Sequence, residues 1–121
     1  MKESFTMKNT ELTKSKILNA TELIEYATNS VVIKSIIQKI TGNVKAISFD
    51  SGELLKAKIS PFDTFLQIIE GNAEIVINDK SNLLMTGQCI IIPAHSRNTI
   101  KAHQRCKVIS TVIKSGYEEV N

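Results

Sequence analysis

No tryptophan occurs in the chain, only six aromatic residues occur in all, and cysteine, proline and arginine number two each. Each shortage excludes something. The two cysteines sit inside apolar runs, Cys89-Ile90-Ile91-Ile92 and Cys106-Lys107-Val108-Ile109, where a free thiol behaves as a small hydrophobe. A disulfide framework of the secreted kind is therefore not expected, and the N-terminus carries no apolar signal segment, so a reducing cytoplasm is the expected setting. With only Arg97 and Arg105 and few rings, the clustered arginines and stacking platforms of a nucleic-acid surface are missing. The 13 lysines are scattered along the chain, so the net charge of +3 reads as a solvated surface and no nucleic-acid partner is expected. No apolar run approaches the ~20 residues that cross a bilayer, so no membrane partner is expected either. Gly-rich phosphate loops, a nucleophile elbow and Cys-x-x-Cys pairs are also lacking.

What is present is the composition of one globular domain: 121 residues, 42% of them hydrophobic. Typical domains run to roughly 100 to 150 residues, which leaves no room for a second core. Residues 1–15 are polar, lysine-rich and without periodicity, and read as a flexible leader or an arm laid on a partner, leaving 16–121 as the domain. Asn19-Ala20-Thr21-Glu22-Leu23-Ile24-Glu25-Tyr26 offers capping residues, an early acid and an apolar pair on one face, which predicts a short N-terminal helix. From Val31 onward the pattern changes to nine short β-rich runs, at 31–40, 44–50, 54–59, 65–70, 73–77, 81–85, 89–92, 99–102 and 106–114. Gly42-Asn43, Gly71-Asn72 and Asn78-Asp79 separate them with residues that take positive φ at little cost, and Ser51-Gly52 and Thr86-Gly87 end their runs. Regularly spaced strands with almost no helix between them predict an all-β sandwich or barrel. Ile90-Ile91-Ile92 and Val31-Val32-Ile33 are apolar on both faces, so a second buried surface is expected, and a homodimer interface supplies one.

The spacing of glycines and a proline resembles that of the cupin superfamily over about residues 44–114. The family's first motif runs G-x5-H-x-H-x(3,4)-E-x6-G and its second G-x5-P-x-G-x2-H-x3-N. Gly52 is followed here by Lys58, Ser60, Thr64 and Gly71 at the successive motif positions. In the second motif Gly87 leads to Pro93, with His95 at the glycine position, Asn98 at the histidine position and Ala102 at the asparagine position. Ser60-Pro61-Phe62-Asp63 and Pro93-Ala94-His95-Ser96-Arg97-Asn98 are further similar to a subgroup of small single-domain bacterial cupins, except at both histidines. The resemblance implies an all-β double-stranded β-helix, the cupin or jelly-roll barrel, with the short helix at its N-terminus.

It also implies a place to look for chemistry. Cupins hold a metal with three imidazoles and a carboxylate, but here those four positions carry Lys58, Ser60, Thr64 and Asn98. An ammonium has no lone pair to give and repels a divalent ion, so neither a metal nor another cofactor is expected. Lys58 is either a fixed positive charge facing an anionic ligand or a solvated side chain paired with Asp63. Asp63 is a candidate base or anchor, or else a turn cap after Pro61. His95 can transfer protons if it reaches the barrel mouth, and is otherwise a surface loop histidine; His103 reads as solvated. Thr64, Gln67, Asn98 and Thr111 are polar residues in apolar strands, some of them expected to point inward.

The expected function is therefore a metal-free module that binds a small molecule, anionic or sugar-like, in the barrel cavity through Lys58, Ser60, Thr64, Asn98, His95 and Asp63. Three alternatives remain open at this point: a metal-independent isomerase or epimerase using His95 with Asp63 or Lys58, a metal-dependent cupin with an atypical ligand set, and a dimeric interaction or sensing scaffold similar to the cupin sensor domains of regulators.

Overall fold

The structure, a computed structural model, describes residues 12–116 and the backbone of residues 5–8. The strands are β1 (Phe5–Lys8), β2 (Val31–Lys39), β3 (Gly42–Phe49), β4 (Leu54–Ala57), β5 (Thr64–Glu70), β6 (Asn72–Ile77), β7 (Lys80–Met85), β8 (Cys89–Ile92), β9 (Asn98–Lys101) and β10 (Cys106–Ile113). One sheet runs β1-β2-β3-β10-β5-β8 and the other β4-β9-β6-β7. After β3 the chain passes from sheet to sheet, to β4, back to β5, across to β6 and β7, back to β8, across to β9 and home to β10. That alternation closes two antiparallel layers around one interior, the double-stranded β-helix.

Side-chain parity places the core between the layers. Ile33, Ile47, Val108 and Leu66 from the larger sheet meet Ile75, Leu84 and Ile100 from the smaller one. The turns work as their residues dictate. Asn78 and Asp79 both have positive φ and join β6 to β7 as a two-residue hairpin loop. Gly71, at φ +81°, carries the chain from β5 to β6 where any Cβ would stand 2.5 Å from the Arg105 carbonyl oxygen. Only glycine fits there.

The expected N-terminal helix is corrected to a single 3-10 turn, Ala20–Glu22. The carbonyls a helix would use are taken by the barrel. The Thr21 carbonyl accepts from Lys107 Nζ at 2.5 Å and the Glu25 carbonyl from Ser48 Oγ at 2.7 Å. The Asn29 N–H, which would close the bond to Glu25, donates to Asp50 at 2.7 Å. Tyr26 fixes the segment further, donating its hydroxyl to Glu70 while Lys107 Nζ sits 4.8 Å above its ring.

The segment lies on the outer face of the larger sheet, where Ile24, Val32 and Ala46 form a second small core with Leu23, Ala27, Ile36 and Ile109 around it. The two-faced apolar run at Val31-Val32-Ile33 is thus covered by the chain itself. Within the expected flexible leader, Phe5–Lys8 is strand β1, paired in parallel with Val31 to Lys34. Residues 1–4 and 9–11 of that leader lie outside the described residues. Cys106 is buried as expected, and burial pushes its thiol up to about 12. Cys89 is not: it faces outward on the edge strand β8 and is exposed, a correction to the apolar reading of its run. Among the described residues no helix is long and apolar enough to cross a membrane.

Candidate functional site

A cavity of about 440 Å³ opens between the sheets at one end of the barrel. Its apolar walls come from inward positions of both layers, among them Ile33, Ile47, Leu66, Ile92 and Ile100. The volume is that of a small-molecule site. Four of the six side chains singled out in the sequence converge here: Lys58, Ser60, Thr64 and Asn98 all line it. They arrive from different elements. Thr64 opens β5 and Asn98 opens β9, while Lys58 and Ser60 follow β4 in the loop that rims the mouth.

His95 and Asp63 do not belong to the lining, which corrects their expected placement. Both stitch the mouth loops together. The Asp63 carboxylate accepts the Ala94 N–H at 2.8 Å, which ties the loop after β4 to the loop after β8. His95 is exposed, in the left-handed region at φ +65°, and its backbone N–H donates to the Ser60 carbonyl at 2.7 Å. Exposed and outside the lining, His95 is not placed as a base in the cavity would need to be. Gln67 and Thr111 are likewise outward, since their strand neighbours Leu66, Ile68 and Val108 fill the core.

The lining also contains polar residues that sequence reasoning missed: Asn43 and Lys45 on β3, Ser110 on β10, Ser96 in the mouth and Lys114 beyond β10. Parity was the available signal, because Lys45 alternates with Ile47 and Phe49. It was weak, because Val44 and Ala46 make the other face of β3 equally apolar. Three lysines thus face the cavity, and no Asp or Glu lines it. The carboxylates with shifted titration lie away from it. Asp50 is drawn down to about 2, first by the Arg105 hydrogen bond and then by the N–H groups of Asn29 and Ser51. Glu74 is held below its usual range by the Ser81 hydroxyl and by His103, which stands 3.1 Å away.

A divalent metal does not fit the four family positions. An ammonium, two hydroxyls and an amide supply no imidazole and no carboxylate, and the cation opposes the ion's charge. Among the described residues no group of three or more His, Cys, Asp and Glu side chains gathers anywhere. What the lining offers instead is positive charge, neutral hydrogen-bonding groups and apolar wall, a set suited to holding a ligand.

This architecture is the cupin fold. A cupin superfamily protein from Desulfitobacterium hafniense superposes with a TM-score of 0.81 at 24% identity, covering 88% of this chain and 97% of that one. A conserved protein of unknown function from Streptococcus pyogenes gives the same TM-score, 0.81, at 22% identity over 89% of this chain and 95% of that one. KdgF from a Halomonas species matches at 0.68 and 16% identity, covering 87% of this chain and 97% of its own. Compared by sequence, the chain matches no protein-family model and no curated protein.

Proposed function

We propose that the chain is a metal-free small-molecule-binding module whose barrel cavity takes an anionic ligand, a sugar acid or other small acid. The observation that carries this is the charge of the lining: Lys45, Lys58 and Lys114 with no carboxylate among them. In a low-dielectric concavity such an imbalance raises the local concentration of anions. The apolar walls and the hydroxyls of Ser60, Thr64 and Ser110 supply shape and orientation.

A thermal-shift screen at low ionic strength, pairing small carboxylates and sugar acids with their neutral analogues, tests this. Acids are expected to raise the melting temperature where the neutral partners do not, and added salt to reduce the effect. No stabilisation by any acid would remove the proposal. Elemental analysis of protein purified without chelator is expected to find far less than one transition metal per chain, and a stoichiometric metal would replace binding with metal chemistry. The same reading sets the protein in the cytoplasm, where Cys89 stays a thiol.

A further inference from the structure

One polar row crosses the inner wall of the larger sheet. Lys45 on β3 pairs with Ser35 on β2 and with Ser110 on β10, and Asn43 stands two residues along on the same inward face. Ser35, Asn43 and Ser110 are only 3%, 7% and 9% exposed. Among the described residues none of the four side chains makes a hydrogen bond or ion pair, yet no fully enclosed side-chain nitrogen or oxygen lacks a partner. Asn43, Lys45 and Ser110 line the cavity, so their polar atoms open onto its space. Burying such groups without partners costs stability, so a row of them on an otherwise apolar wall points to something that completes it.

We infer that this row, and not the positions where related barrels carry imidazoles, seats the anionic group of the ligand, and that the ligand is a small monocarboxylate with an apolar body. The inference rests on the cavity-binding reading above. Lys45 is half-buried, whereas Lys58 and Lys114 are exposed at the mouth, and a charge acts more strongly where water screens it less. One half-buried cation beside the Ser110 hydroxyl and the Asn43 amide matches one negative charge shared over two oxygens. A phosphate dianion needs more: an arginine fork, a helix N-terminus or a nest of free N–H groups. At the row itself no arginine lines the cavity and no free N–H is offered, because β3 is an interior strand whose backbone is engaged by β2 on one side and β10 on the other. Beyond the row the wall is Ile33, Ile47, Leu66 and Val112, so the rest of the ligand meets hydrocarbon.

Titration calorimetry with hexanoate, hexanol, gluconate and inorganic phosphate separates the cases. Hexanoate is expected to bind about ten-fold or more tighter than each of the other three. Lys45→Met is expected to abolish the preference for hexanoate over hexanol, and Lys58→Met to weaken hexanoate by less than Lys45→Met does. Amide chemical shifts of the unaltered protein supply a readout that does not depend on the variants folding: hexanoate is expected to move Lys45 and Ser110 before Lys58. Tighter binding of gluconate or phosphate overturns the monocarboxylate while leaving an anion-binding cavity standing. A hexanoate affinity unchanged in Lys45→Met, or shifts confined to the mouth, overturns the seat. Failure of all four probes takes the cavity-binding reading down with it.

Discussion

At Asp50 a single carboxylate accepts from Arg105 Nε at 2.8 Å and from the backbone N–H groups of Asn29 and Ser51 at 2.7 and 2.9 Å. Two of them tie distant stretches of chain to one anion, and together the three hold its pKa at about 2 against an ordinary 3.8. Because the folded-state value is the lower one, folding favours the ionised form. The resulting stability is present above pH ~4 and is lost as the pH falls from there toward 2. Asp50→Asn is expected to flatten the acid limb over that window in urea melts at stepped pH. An acid limb as steep as that of the unaltered protein would assign the proton uptake to other carboxylates. Asp63 is a different case, because the sequence offered it as a base, an anchor or a turn cap and the structure uses it to hold a second loop. Ser-Pro-Phe-Asp spells a turn whichever use is made of the acid, and only the position of Ala94 on the other mouth loop decides between them.

Elements here are set by pattern where they are strands and by distant partners where they are not. The nine expected runs all appear as strands, most with ends shifted by one or two residues, because alternation and turn residues are local properties of the chain. The helix expected at Asn19 to Tyr26 failed because its carbonyls are claimed by Lys107 and Ser48, partners 86 and 23 residues away that no window of sequence contains. Strand β1 went unseen for a related reason: Phe5–Lys8 is only four residues inside a polar, lysine-rich stretch, too short a run to read alone, and pairing with β2 defines it. The corners allow a quantitative comparison. Gly71 and Gly87 both have positive φ, but a Cβ at Gly87 meets open space while one at Gly71 meets the Arg105 carbonyl at 2.5 Å. Gly87→Ala is expected to cost about 1 kcal/mol, the usual penalty of a left-handed residue, and Gly71→Ala clearly more, on the order of 3 kcal/mol. Urea denaturation of the two variants measures the difference, and equal costs would mean that the corner at Gly71 moves to make room.

For the whole molecule the open question is the outer face of the larger sheet. The segment around Ile24 covers its β2 and β3 side, but Phe65 on β5 and its cross-strand neighbour Ile91 on β8 remain open, Ile91 at 61% exposure. Ile37 and Ile113 are exposed as well, so the uncovered apolar surface spans several strands. We propose that a second copy of the chain covers this surface, as the two-faced run Ile90-Ile91-Ile92 led us to expect. Sedimentation velocity is expected to show a dimer that Ile91→Glu converts to monomer, and a monomer for the unaltered protein at micromolar concentration would end the proposal.

The sequence by itself determined the strands, their turns and, through the spacing of Gly52, Gly71, Gly87 and Pro93, the kind of barrel they close. It also determined that the family's ligand positions carry no imidazole. These follow from local conformational preference and from residue chemistry, which travel with the chain. Only the tertiary structure decided that Lys45 joins the cavity while His95 and Asp63 stay outside it, and that a would-be helix lies flat as a turn. Those outcomes depend on which face of a strand is enclosed and on which distant donor reaches a carbonyl first, and neither is encoded in any short stretch of residues.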